Sequence, residues 1–112
     1  MIDLVGKVVG TSGWAGPILW VCTTDDYSIH LYDAPIQLDG KELDAGEADV
    51  QSLVGRRIAG ITHSADRFTV SLDPRAILEV EASEVETARV FKQRDLQSHY
   101  VYCNGVYYAD KD

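Results

Sequence analysis

The sequence predicts an α+β fold, a mainly antiparallel sheet of about six to eight strands carrying one helix near residues 84–95. Three observations lead there. Short apolar or alternating runs of strand length recur along the chain, each bounded by a cluster of turn residues. Asn104-Gly105 stands between apolar flanks, the strongest short-range hairpin signal. One segment only, after Ser83, repeats its apolar residues at helical spacing. With 112 residues, 46% of them hydrophobic, the chain can fill one core without a metal or disulfide, and residues 1–112 are read as a single globular domain.

In chain order, Ile2 to Val9 is apolar and β-branched and predicts a strand. Gly10, Gly13, Gly16 and Pro17 follow within GTSGWAGP and predict a loop. Ile18 to Thr23 is a continuous apolar run, short enough for a strand buried on both faces. Asp25 and Asp26 mark a turn, after which Ile29 and Leu31 alternate with Ser28, His30 and Tyr32 as in a half-buried strand. These two runs predict a hairpin. Residues 39–49 hold five acids and one lysine among glycines and alanines, the composition of an exposed excursion opening on an Asp39-Gly40 turn. Arg57 to Thr62, Phe68 to Leu72 and Ile77 to Ala82 are three strand-like runs joined by short turns, hence an antiparallel meander. Ser83 and Glu86 fit a capping box, and Val85, Ala88 and Phe91 share one helical face. Finally YVYCNGVYY is a two-residue hairpin in which Cys103 faces Val106 and Tyr102 faces Tyr107.

Composition narrows the function classes. The formal charge of −8 and a pI near 4.7 disfavour nucleic acid, whose affinity comes from Lys and Arg releasing counterions, and disfavour an anionic membrane surface. Acidity keeps a domain in solution, and it also attracts a basic protein and speeds encounter with it. No apolar stretch approaches the roughly 18 residues that span a bilayer, and MIDLVGKVVG is unlike a secretory leader, so a cytoplasmic address is expected. Cys22 and Cys103 lie far apart in strand-like contexts, with neither CxxC nor zinc-knuckle spacing, and are read as reduced, at least partly buried thiols.

No motif carries chemistry. GTSGWAG lacks both GxGxxG and GK[ST], and it leads into a strand where a phosphate loop would open a helix. Asp25, Asp26, His30 and Asp33 form the one compact set of potential ligands, without EF-hand or HExxH spacing. No catalytic residue, metal or cofactor is assigned. Trp14, a large aromatic among glycines, either plugs the edge of the core or anchors an interface. Tyr100, Tyr102 and Tyr107 share one face of the terminal hairpin and pose the same choice.

Leu53 to Val80, with LVGRRI, FTVSLD and ILEVE, resembles the meander phrase of uncharacterised bacterial β-meander domains. In size, acidity and lack of a catalytic motif the chain also resembles the immunity proteins of bacterial toxin systems, which neutralise a cognate, often basic toxin by binding it. Phage-encoded inhibitors of bacterial defence fit the same description. The expectation is therefore a protein-binding or inhibitor module for a basic partner such as a toxin nuclease. Its candidate partner-binding residues are Trp14, Glu42, Asp44, Glu47, Asp49, Tyr100, Tyr102 and Tyr107, with Glu79, Glu81, Glu84 and Glu86 adding to the field. The alternative is a small enzyme or ligand-binding domain with a pocket near His30, Tyr32 and Asp33.

Overall fold

Buried and exposed side chains alternate along most of the chain, and that pattern folds as β-structure almost throughout. The computed structural model describes residues 4–44, 48–92 and 95–110. Among these residues eleven strands form: β1 (Val9–Ala15), β2 (Ile18–Thr23), β3 (Tyr27–Leu31), β4 (Ile36–Leu38), β5 (Lys41–Glu42), β6 (Arg57–His63), β7 (Arg67–Asp73), β8 (Ala76–Glu81), β9 (Glu86–Lys92), β10 (Asp95–Cys103) and β11 (Val106–Asp110). Among the described residues a 3-10 helix, Ala48–Leu53, is the single helical element, and none of them forms a helix long and apolar enough to cross a membrane.

The strands make two antiparallel sheets, one of six in the order β1-β2-β3-β9-β10-β11 and one of five in the order β5-β4-β8-β7-β6. The chain lays down β1 to β3, crosses to the second sheet for β4 to β8, and returns to pair β9 against β3. The inner faces meet in one core: Leu19, Val21, Ile29, Leu31, Ala88, Val90 and Tyr102 from the first sheet pack with Ile36, Ile58, Phe68, Val70, Leu72, Leu78 and Val80 from the second. Each fully buried aliphatic of this kind contributes about 1.5–3 kcal/mol. Along one side a bridge between Val8 and Arg57 joins the sheets, with the Val9 amide donating to the Arg56 carbonyl at 2.8 Å.

The β2–β3 hairpin, the β6–β7–β8 meander and the β10–β11 hairpin follow the sequence reading, including the pairs Tyr102↔Tyr107 and Cys103↔Val106. Asp39 and Gly40 make the expected turn, with φ of 53° and 83°. Gly105 has φ +78°, and a Cβ there would lie 2.7 Å from the Ala65 carbonyl oxygen in the β6–β7 turn, so the hairpin tip is held against the second sheet.

Five readings need correction. The described residues form eleven strands, more than the six to eight expected. The strand expected over Ile2 to Val9 does not form among the described residues: Val5 and Gly6 lie in a turn, Val8 makes only an isolated bridge, and the first strand begins at Val9. The expected helix at 84–95 is absent: residues 84–85 bend and Glu86–Lys92 is the strand between β3 and β10. Val85, Ala88 and Phe91 suit a helix, but Ala88 and Val90 also alternate with Thr87, Arg89 and Phe91, and two neighbouring strands supply the backbone hydrogen bonds. Val85 is left exposed, and the Glu86 carboxylate, instead of capping, takes two bonds from the Arg89 guanidinium at 2.7 and 3.1 Å. The TSGWAGP loop is largely strand β1. Gly13 belongs there because its partner Trp20 lays its ring across it, where a Cβ would approach the indole to 2.9 Å. Ile18–Thr23, read as buried on both faces, buries only Leu19, Val21 and Thr23; Ile18, Trp20 and Cys22 are half-buried on the outer face.

Candidate functional site on the outer face of the six-stranded sheet

Antiparallel register aligns side chains from consecutive strands into rows across a face. On the outer face of the six-stranded sheet one row runs Gly13, Trp20, His30, Arg89, Val101 and the next runs Thr11, Cys22, Ser28, Phe91. The rows are dominated by apolar and aromatic groups. The His30 ring meets Phe91 edge-on, centroids 4.8 Å apart at 82°. Between the first strands the surface dips into an open hollow of about 360 Å³ lined by Thr11, Trp20, Cys22, Asp26 and His30.

Burial lowers the His30 pKa, and the neighbouring Arg89 charge lowers it further. The imidazole therefore stays neutral at neutral pH, and the Asp26 carboxylate lines the same hollow. Asp26 reaches its place through a left-handed backbone, φ 72°, at the end of the β2–β3 turn. That turn is pinned by Thr23, whose hydroxyl donates to Asp25 at 2.7 Å and accepts from the Tyr27 amide at 3.0 Å. Lys7 hydrogen-bonds the Asp25 carboxylate and, together with Thr23, lowers its pKa.

The outer face of the five-stranded sheet is polar. Gln37 of β4 lies between Glu42 and Glu79 in register, and Asp44 is exposed just beyond β5. Glu79 accepts from Arg67 at 3.2 Å and Thr69 at 3.3 Å. A second hollow, of about 420 Å³, is lined by Asp39, Gly40, Arg75, Ile77 and Glu79. There Asp39 is already engaged, one carboxylate oxygen accepting the Ile77 amide at 2.8 Å.

No family model, curated protein or solved structure matches the chain. The site therefore stands on its own geometry.

The expected binding residues are not brought together. Trp14 is half-buried and packs against the core from β1, which is the core-edge reading of that residue. Tyr102 is fully buried, its hydroxyl donating to the Ser64 carbonyl at 2.6 Å, and so is a core residue and not a surface anchor. Tyr107 and Tyr100 lie on the same inward face with ring centroids 5.9 Å apart, and Tyr107 stands 5.5 Å from Phe68 of the opposite sheet. Burial, with Tyr100 adding, pushes the Tyr107 phenol far above its usual value. These tyrosines stitch the two sheets together. Glu42 and Asp44 are exposed at the β4–β5 edge. Asp49 falls in the 3-10 helix, and Glu47 lies outside the described residues. His30 enters the hollow, whereas Tyr32 and Asp33 do not line it: Tyr32 follows β3 half-buried and Asp33 is exposed in the next turn.

Sequence reasoning does not single out Trp20 or Phe91, and it meets Asp26 only as a potential metal ligand. Trp20 and Ile18 stand two apart within an unbroken apolar run, so nothing in the run distinguishes an outward side chain from a core one. Phe91 was assigned to a helical face. A signal for Trp20 did exist in the pair Gly13 and Trp20, since a strand glycine opposite a large aromatic is a recognised sheet device.

Proposed function

We propose that the domain is a protein-binding module of the inhibitor or immunity type, taking a basic partner through the hollow on its outer sheet face. The observation that supports this reading is the combination, in one shallow depression, of the Trp20 indole, the neutral His30 ring and the Asp26 carboxylate. A lysine or arginine side chain satisfies all three: its stem lies on the indole, its cation is attracted by the ring face, and the carboxylate accepts its hydrogens. Aromatic anchors in desolvated depressions supply most of the affinity in protein interfaces. The exposed Glu42 and Asp44 add long-range attraction for a basic surface.

The test is to capture the partner from the native host, purify the pair and titrate Trp20→Ala and Asp26→Asn variants. Truncating the anchor should weaken binding by about 2 kcal/mol or more, roughly thirtyfold in Kd, with the fold intact by circular dichroism. Wild-type affinity in both variants would place the interface elsewhere. A second reading, a small-molecule site, rests on the volume of the same hollow and on His30 lining it. A thermal-shift screen with metals, nucleotides and metabolites decides it, since a ligand bound only by the native state raises Tm.

A further inference from the structure

A sheet edge left open is a template for another strand, and proteins block such edges with charge, shortness, bulges or a covering element. Three of the four edges here carry such a block. Strand β5 is two residues long, both charged. Strand β6 has a bulge between Ile58 and Gly60, and residues before β1 cover its start, Ile58 donating to the Lys7 carbonyl at 2.8 Å. Strand β1 is covered by the 3-10 helix and the residues after it: Gln51 Nε2 donates to the Ser12 carbonyl at 3.0 Å, and the Gly55 amide to the Val9 carbonyl at 2.8 Å. Strand β11 shows no bulge in its pairing with β10, and its single charged residue, Asp110, is its last. It is five residues long, it pairs only with β10 among the described residues, and its first residue, Val106, is 57% exposed.

The hydrogen-bonding state of that edge follows from the turn. In a two-residue hairpin the residues flanking the loop, Cys103 and Val106, exchange both bonds, and bonded and non-bonded pairs then alternate. Tyr102↔Tyr107 and Tyr100↔Ala109 are therefore the non-bonded pairs. The amide and carbonyl of Tyr107 and of Ala109 point away from β10, toward the open side.

We propose that this edge pairs with β11 of a second copy of the chain, the strands antiparallel about a two-fold axis at Tyr108, joining two six-stranded sheets into one. Two features select a second copy. The spacing is self-complementary: a two-fold at Tyr108 sets Tyr107 opposite Ala109 of the other copy at both ends, so four backbone hydrogen bonds form with no unmatched group between them. The charge also fits. Two molecules of formal charge −8 repel, and a self-contact has to be made on a neutral surface; no charged residue occurs from Tyr100 to Ala109. The 3-10 helix already occupies the edge of the other long uncharged stretch, β1. A contact this short lies at the low end of interface sizes, so the equilibrium is concentration-dependent.

Sedimentation of the purified full chain over a wide concentration range should show a species of twice the 12.4 kDa chain mass growing in with concentration. Ala109→Pro removes an amide that in this register does not bond β10 and should return the mass to that of one chain, with unchanged monomer circular dichroism. Val106→Asp, at an exposed position that faces Asp110 of the other copy in this register, should do the same by like-charge repulsion, which covers the case where the proline variant fails to fold. In a Cys22→Ser, Cys103→Ser background, Tyr108→Cys should form an intermolecular disulfide under mild oxidation. A chain that stays monomeric throughout, a dimer that survives both edge variants, or a dimer without the Tyr108→Cys cross-link overturns the proposal; the first outcome would leave the edge to a strand from a different protein.

Discussion

His30 lies where its protonation is felt by the fold. Burial, and then the Arg89 charge, hold its pKa below the ordinary 6.5, so the unfolded chain takes up the proton more readily than the folded one. The contribution to stability is complete above pH 7, falls as pH drops through 6.5, and levels off once pH is below the depressed folded value. We expect a lower urea midpoint at about pH 5.5 than at about pH 7.5, and a His30→Gln variant with a smaller midpoint difference between the two. Equal pH dependence in the variant would show that His30 contributes nothing to it. Asp25 acts in a separate, more acid window: with its pKa lowered by Lys7 and Thr23, its contribution is present above the ordinary 3.8 and is lost as pH falls through the depressed value.

At the scale of elements, the 3-10 helix is held to β1 by two long-range side-chain bonds. The Ser12 hydroxyl donates to the Val50 carbonyl at 2.6 Å in a buried position, and Gln51 returns a bond to the Ser12 carbonyl. Val50 and Leu53 are the apolar side of the same attachment, both buried in the core. Ser12→Ala leaves a buried carbonyl without its donor and should cost about 1–2 kcal/mol. Amide exchange should accelerate over residues 50–53 more than in the β6–β7–β8 meander, because the helix opens locally before the sheets do. Uniform acceleration throughout the molecule would mean that helix and sheets open as one unit.

Over the whole molecule, the two sheets present unlike outer faces. The six-stranded sheet shows Trp20, Phe91 and Cys22; the five-stranded sheet shows Glu42, Gln37, Glu79 and Thr69. Ion pairs engage Glu79 with Arg67 and Glu86 with Arg89, and Glu42 and Asp44 are exposed at the β5 edge. Exposed charge of this kind governs encounter more than affinity. For a basic partner, reversal by Glu42→Lys with Asp44→Lys should slow association about tenfold at low salt and flatten the salt dependence of the on-rate, leaving the off-rate nearly unchanged. Stopped-flow mixing at several ionic strengths checks this, and an unaltered on-rate would remove these two residues from the encounter.

The sequence by itself determined the local pieces: the Ile18–Thr23 and Tyr27–Leu31 hairpin, the three-strand meander, the Asp39-Gly40 turn, and the Tyr102↔Tyr107 register set by Asn104-Gly105. Each of these depends on strands consecutive in the chain, pairing across at most sixteen positions as Arg57 does with Asp73, where side-chain alternation and turn chemistry decide the outcome. Tertiary structure decided the rest. Glu86–Lys92 satisfies both a helical and a strand pattern, and the pairing with β3, more than fifty residues earlier in the chain, selects the strand. That insertion also settles which face of β2 looks outward, and so places Trp20, His30 and Phe91 side by side from three strands of one sheet. Periodicity reports that a strand has two faces; which one meets the opposing sheet is fixed by long-range packing, and there the outward aromatic hollow and the inward tyrosines parted from what the sequence alone suggested.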